Sequence, residues 1–121
     1  MHETSLIQFT LDAVEKRSME LGIRQVKTIT LVVGEARGVV PELMQKAFRL
    51  LRRRNPLFQE AALEIEYRQI QLQCEACGTE YGSADIAKAV CPGCGSNRFR
   101  ILQGKELYIE SFETGEQNYD G

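Results

Sequence analysis

The hydrophobic positions along the chain change period several times, and each change marks an element. Ile7, Leu11, Val14, Ser18 and Leu21 recur at helical spacing until Gly22 supplies a stop, and Ser5 with Gln8 three residues on fits a capping box. This predicts a first helix over 6–21. From Val26 to Gly34 the period shortens to two, with Ile29, Leu31 and Val33 on one side and Thr28, Thr30 and Val32 on the other, all residues that favour extended backbone. Pro41 then suits the first position of a second helix, in which Leu43, Ala47, Leu50 and Leu51 form a stripe with Met44 and Phe48 beside it. In Ala62–Arg68 the alternation returns, with Leu63, Ile65 and Tyr67 facing in and Glu64, Glu66 and Arg68 facing out.

Strand, helix, strand is a crossover unit and is nearly always right-handed, so the two strands are expected to lie parallel with the second helix on one face. The first helix can cover the same face. Glu106–Phe112 has strand propensity and is expected to return as a third strand. The predicted fold class is therefore α/β (α+β), with two helices on one face of a small three-stranded mixed sheet and a lobe inserted before the last strand. The tail over 113–121 reads as disordered.

With 15 basic residues against 17 acidic ones and a net charge of −2, the chain has no basic surplus to attract nucleic acid. Arg52, Arg53 and Arg54 fall where a helix's last turn wants cations, and complementing the dipole accounts for them. The first thirty residues show no basic stretch followed by an apolar one, and no apolar run approaches the roughly 18 residues a membrane span needs. The expected compartment is the cytoplasm, where thiols stay reduced and cysteines serve as metal ligands or redox groups rather than as disulfides.

All four cysteines fall in one stretch, Cys74 and Cys77 two residues apart, then Cys91 and Cys94 likewise after thirteen more. Each pair can aim two sulfurs at one ion from a tight turn, for which Gly78, Gly93 and Gly95 supply permissive backbone. Two such turns complete a tetrahedral thiolate shell suited to zinc, with an iron centre of the same geometry as the alternative. A redox centre needs only one such pair, at the start of a helix. The span 72–102 has few large apolar residues, notably Tyr81, Ile86 and Phe99, so the metal is expected to supply most of its folding energy. Its charges balance, Lys88, Arg98 and Arg100 against Glu75, Glu80 and Asp85. Four thiolates leave no open coordination position, which makes this zinc structural rather than catalytic. The predicted division is a zinc-binding domain over 72–102 within an α/β domain formed by 1–71 and 103–121.

The only histidine, His2, stands beside the amino terminus. Met1, His2 and Glu3 together offer an α-amine, an imidazole and backbone nitrogens that a suitable metal can deprotonate, closing five- and six-membered chelate rings. Nickel and copper gain most from such nitrogen donors, and zinc gains less. An idle, frayed terminus is the competing reading.

"MHETSL" at the start, "LVVGEARGVVPELMQKAF" in the middle and the later "CEAC" and "CPGC" resemble, in order and position, the HypA/HybF family of hydrogenase maturation factors. The resemblance spans nearly the whole chain. It implies a nickel metallochaperone, not an enzyme, that carries Ni2+ as cargo to the large-subunit precursor of [NiFe]-hydrogenase, works with a HypB-type GTPase, and in some organisms also serves urease. Carried over by position, nickel is held by Met1 through its amine, by His2 through imidazole and backbone nitrogen, and by Glu3 through backbone or side chain, while Cys74, Cys77, Cys91 and Cys94 hold structural Zn2+. Some family members recruit an acidic residue a few positions after the Gly-Glu pair, where this chain has Val40 and Pro41. Glu35 and Glu42 are the nearby carboxylates that could substitute, and a homodimer is left open. The rival reading is a zinc-ribbon adaptor that binds proteins and has no nickel role.

Overall fold

The computed structural model describes residues 2–121. The first helix, α1, runs over Glu3–Leu21, three residues longer at its start than the periodicity predicts. Ser5 is therefore not its cap but sits exposed inside the first turn. His2 is the capping position, in extended backbone, and its carbonyl accepts from the Leu6 amide at 3.0 Å. The early start has a long-range cause: the Glu3 carboxylate accepts a hydrogen bond from the Val40 amide at 3.0 Å, which holds the first turn in place. At the other end, Gly22 in the left-handed region (φ 70°) returns its amide to Met19 and terminates the helix as expected.

The second helix, α2 (Pro41–Leu51), begins with proline at its first position and buries Met44, Ala47, Phe48 and Leu51. Leu43 and Leu50, which the sequence pattern counts in the stripe, are exposed instead. Apolar residues cover a wider arc of this helix than the core can bury, and its centre falls on Met44 and Phe48. The triple arginine forms a separate 3-10 turn, Arg52–Arg54, in which the Arg52 guanidinium donates to the Ala61 carbonyl. α1 packs along α2.

Four strands form the sheet against which these helices build their core: β1 (Thr28–Gly34), β2 (Ala62–Arg68), β6 (Leu107–Glu113) and β7 (Asn118–Asp120), in the order β2-β1-β6-β7. The Ala62 amide bonds the Lys27 carbonyl, so β1 and β2 start at the same end and run parallel, as the crossover rule requires. The Lys27 amide bonds the Glu113 carbonyl while the Gly34 amide bonds Glu106, which makes β6 antiparallel to β1. β7 is the unexpected strand. The tail read as disordered folds back on β6, with Phe112 opposite Tyr119 and their rings stacked at 5.3 Å. The buried side chains include Ile7, Val14, Ile29, Leu31, Val33, Met44, Phe58 and Phe112.

Between β2 and β6 lies a three-stranded antiparallel ribbon of β3 (Gln71–Cys74), β4 (Glu80–Gly82) and β5 (Phe99–Gln103), ordered β4-β3-β5. Its small core is Ile70, Leu72, Cys74, Tyr81, Ala89 and Cys91, flanked by Ile86, Phe99 and Ile101. By its contacts the chain divides into two compact units, one containing the chain up to Val32, Val39–Glu66 and Tyr108–Gly121, the other Val33–Gly38 and Tyr67–Leu107. Within the second, the Gly-Glu pair that ends β1 is built in: the Glu35 carboxylate accepts from the Ile70 amide at 2.9 Å, and the Ala36 amide donates to Gly104 at 2.8 Å.

Candidate metal centre and amino-terminal site

Two copies of one backbone turn carry the four cysteines. In the first, the Cys74 amide donates to the Thr79 carbonyl at 2.8 Å and the Gly78 amide returns to the Cys74 carbonyl at 2.9 Å. In the second, Cys91 donates to Ser96 at 2.9 Å and Gly95 returns to Cys91 at 2.8 Å. Gly78 (φ 81°) and Gly95 (φ 77°) occupy the matching left-handed position, which explains why each pair is followed by glycine. The Glu75 amide ties the two turns together through the Arg98 carbonyl.

The four sulfurs converge, their Sγ atoms all within 4.8 Å of one another. Cys74 lies 3.6 Å from Cys94 and Cys77 lies 3.6 Å from Cys91. Zinc–sulfur bonds of about 2.3 Å in a tetrahedron place sulfurs roughly 3.8 Å apart, so the spacing suits one four-thiolate ion. All four thiols are free, Cys74 and Cys91 buried, Cys77 and Cys94 exposed.

The electrostatics show why a cation completes this site. The Thr79 hydroxyl and amide pull the Cys77 thiol down to about 6 from its ordinary 9.0. The Cys77 and Ala76 amides lower Cys74 against the opposing effect of burial. Cys94 has its own amide donor in Ser96, but its contacts with the Cys74 and Cys77 sulfurs outweigh it and raise the thiol to about 11. Sulfurs this close share protons because neighbouring thiolates repel, and a dication removes the conflict. Tyr81, buried beside the cluster, is raised by desolvation first and then by the cysteine charges, and its hydroxyl has no hydrogen-bond partner among the described residues.

At the other candidate site, His2 is exposed immediately before α1, and Glu3 is half-buried with its carboxylate on Val40. That bond, with Glu3's own amide, lowers the carboxyl below its ordinary 4.5. Met1 lies outside the described residues. Glu42 is exposed in the first turn of α2, and Glu35 is committed to Ile70. The Val40 position thus does approach the amino terminus, but through its backbone amide. The Glu3–Val40 contact spans 37 residues, and no local pattern signals it.

A small α/β protein with one four-thiolate centre on a ribbon is the class these features define. The family model described as "Hydrogenase/urease nickel incorporation, metallochaperone, hypA" matches residues 1–114, and the chain belongs to that HypA family. It is 38% identical to the hydrogenase maturation factor HypA of Moorella thermoacetica over 93% of this chain and 98% of that one. With the HypA of Helicobacter hepaticus it shares 32% over 93% and 96%. The fold is similar to the solution structure of the nickel metallochaperone HypA from Helicobacter pylori, with a TM-score of 0.64 at 24% identity over 94% of this chain and 97% of that one. A second HypA solution structure gives 0.68 at 23% identity over 97% and 98%.

Proposed function

We propose that this chain is a nickel metallochaperone that binds Ni2+ at its amino terminus and delivers it during hydrogenase maturation, with zinc as a resident ion on the four cysteines. The α/β unit handles the cargo and the ribbon holds the structural ion. The observation that carries the nickel reading is the placement of the only histidine, exposed and directly ahead of a helix that begins at the next residue. A first-turn amide has no intrahelical acceptor. Nickel can therefore take the Glu3 nitrogen, together with the His2 donors and the Met1 amine, without breaking a helical hydrogen bond.

The Glu3 side chain already serves Val40, which favours its backbone nitrogen as the contribution to the metal. Zinc on the cysteines fits the donor set, the sulfur spacing and the amides aimed at the sulfurs. It supplies structure there and no chemistry, and the protein is a carrier, not an enzyme. The proposed setting is the cytoplasm, with a HypB-type GTPase and the hydrogenase large-subunit precursor as partners. Among the described residues no helix is long and apolar enough to cross a membrane.

The test is nickel titration of native, untagged protein with X-ray absorption of the loaded state. Nitrogen-rich coordination at one nickel per chain is expected, lost in His2→Ala and in a variant with one residue added before Met1, with zinc content intact. Sulfur ligation or unchanged nickel affinity in both variants refutes it. The adaptor reading predicts that unchanged result.

A further inference from the structure

The two cysteine turns match in backbone but not in side chain. Thr79 and Ser96 occupy the same place, each two residues after the second cysteine of its pair, each giving its carbonyl to the first cysteine's amide. Their hydroxyls part company. The Thr79 Oγ1 lies 3.1 Å from the Cys77 Sγ, whereas the Ser96 Oγ accepts the Arg98 amide at 3.1 Å. A thiolate bound to a metal has no proton to give, so in a loaded centre the Thr79 hydroxyl is the donor and the sulfur the acceptor.

The opposite turn leaves room for this contact. A Cβ on Gly93 would lie 3.3 Å from the Thr79 Oγ1, 3.6 Å from the Cys91 Sγ and 3.9 Å from the Cys77 Sγ, and residue 93 carries none. The bare backbone lets the second turn close against the hydroxyl. It also lets the Gly93 amide reach the Cys91 sulfur at 3.3 Å. Thr79 is β-branched and stiff about its first side-chain torsion, which favours one hydroxyl direction.

We propose that Thr79 is a positioning residue of the four-cysteine metal centre, its hydroxyl holding the Cys77 sulfur on the ion, and that the Cys94 corner, which has no side-chain donor, is where the ion exchanges. Cys77 and Cys94 are the two exposed ligands, so each is open to a competing chelator or acceptor, and only one has a side-chain donor behind it. Sharing a thiolate's charge with a hydroxyl both fixes the sulfur and slows its departure. The second turn, identical in backbone and lacking that donor, opens first.

The proposal rests on the reading that the cysteines hold zinc, and the experiment separates the two. Metal analysis of the wild-type chain comes first: absence of stoichiometric zinc overturns both. With zinc present, release to an excess of chelator is followed in wild type, Thr79→Val, Thr79→Ser and Ser96→Ala. Thr79→Val is expected to release zinc about fivefold to tenfold faster, the loss of one hydrogen bond. Thr79→Ser is expected to restore slow release, and Ser96→Ala to stay within twofold of wild type. Cobalt substitution gives a second readout, in which the sulfur-to-metal charge-transfer band shifts in Thr79→Val and not in Ser96→Ala. Alkylation during release, read by mass spectrometry and scaled to the rate of the same cysteine in metal-free protein, labels Cys94 before Cys77 in wild type and loses that order in Thr79→Val. Equal release rates and band positions in Thr79→Val and wild type, equal effects of Thr79→Val and Ser96→Ala, or Cys77 labelled first in wild type on that scale overturn the assignment while leaving the zinc reading intact.

Discussion

Replacing Gly34 by alanine tests whether the Gly-Glu pair that ends β1 is a packing requirement. A Cβ at Gly34 would lie 2.1 Å from the Gly104 carbonyl oxygen and 2.6 Å from the Lys105 nitrogen, where ordinary contact begins at 3.4 Å. One segment must therefore retreat by at least about 1.3 Å. That movement breaks the bonds holding the corner, Gly34 amide to Glu106 carbonyl at 2.7 Å and Ala36 amide to Gly104 carbonyl at 2.8 Å. Two backbone hydrogen bonds contribute roughly 2 kcal/mol net, and the residual overpacking adds about 1 kcal/mol or more. Gly104 cannot easily yield, because it is in the left-handed region (φ 118°) with Ile70 behind it. The expected loss is about 3 kcal/mol, or roughly 10 °C in thermal midpoint for a chain of this size. The assay is thermal unfolding followed by circular dichroism at fixed zinc loading, since bound metal shifts the midpoint on its own. A midpoint within about 2 °C of wild type refutes the close approach.

Cys91→Ser removes a buried ligand, and near-complete zinc loss with collapse of the ribbon's amide protection is expected while α1 and α2 keep theirs; metal analysis and hydrogen exchange check this. The Glu3 carboxyl is lowered in the folded state, so its bond to Val40 is present above the ordinary value of 4.5 and is lost as pH falls through the lowered value. The Val40 amide resonance is expected to titrate only in that acid range, and to be flat in Glu3→Gln. On the proposed nickel reading, Glu3→Ala leaves one nickel per chain with affinity reduced by less than about tenfold, because the backbone nitrogen survives, whereas His2→Ala abolishes stoichiometric binding; isothermal titration distinguishes them.

Where the signal is local, sequence and structure agree. The stop at Gly22 and the two cysteine turns follow from glycine placement and ligand spacing read within a few residues, and the parallel β1–β2 pair follows from the strand, helix, strand order. The differences come from long-range contacts. Ser5 is a good capping residue by type, yet α1 starts at Glu3 because a carboxylate there meets an amide 37 residues away. The tail is polar enough to read as disordered, yet Tyr119 stacks on Phe112 and makes a fourth strand of it. Leu43 and Leu50 satisfy the helical period, but the core is centred a residue away on Met44. Glu35, one of two carboxylates the sequence offers as a substitute contact near the amino terminus, accepts the Ile70 amide instead. The Thr79 hydroxyl on Cys77 has no spacing rule to announce it, since Ser96 stands at the same offset and behaves differently.

The same chemical group, a backbone amide outside any helical or strand ladder, acts with opposite sign at the two proposed metal sites. At the cysteine turns, amides point at sulfurs, Gly93 on Cys91 among them, and spread the negative charge that four thiolates impose on a divalent ion. They favour keeping the ion. At the start of α1 the first-turn amides present the positive end of the helix dipole to whatever binds there. A cation at that end is disfavoured by about 0.3–1 kcal/mol, a factor of roughly two to five in affinity, which the neighbouring Glu3 carboxylate partly offsets. Chelation by nitrogens then has to overcome a standing electrostatic opposition. For a resident ion that would be a defect; for a cargo ion it lowers the barrier to handing the metal on.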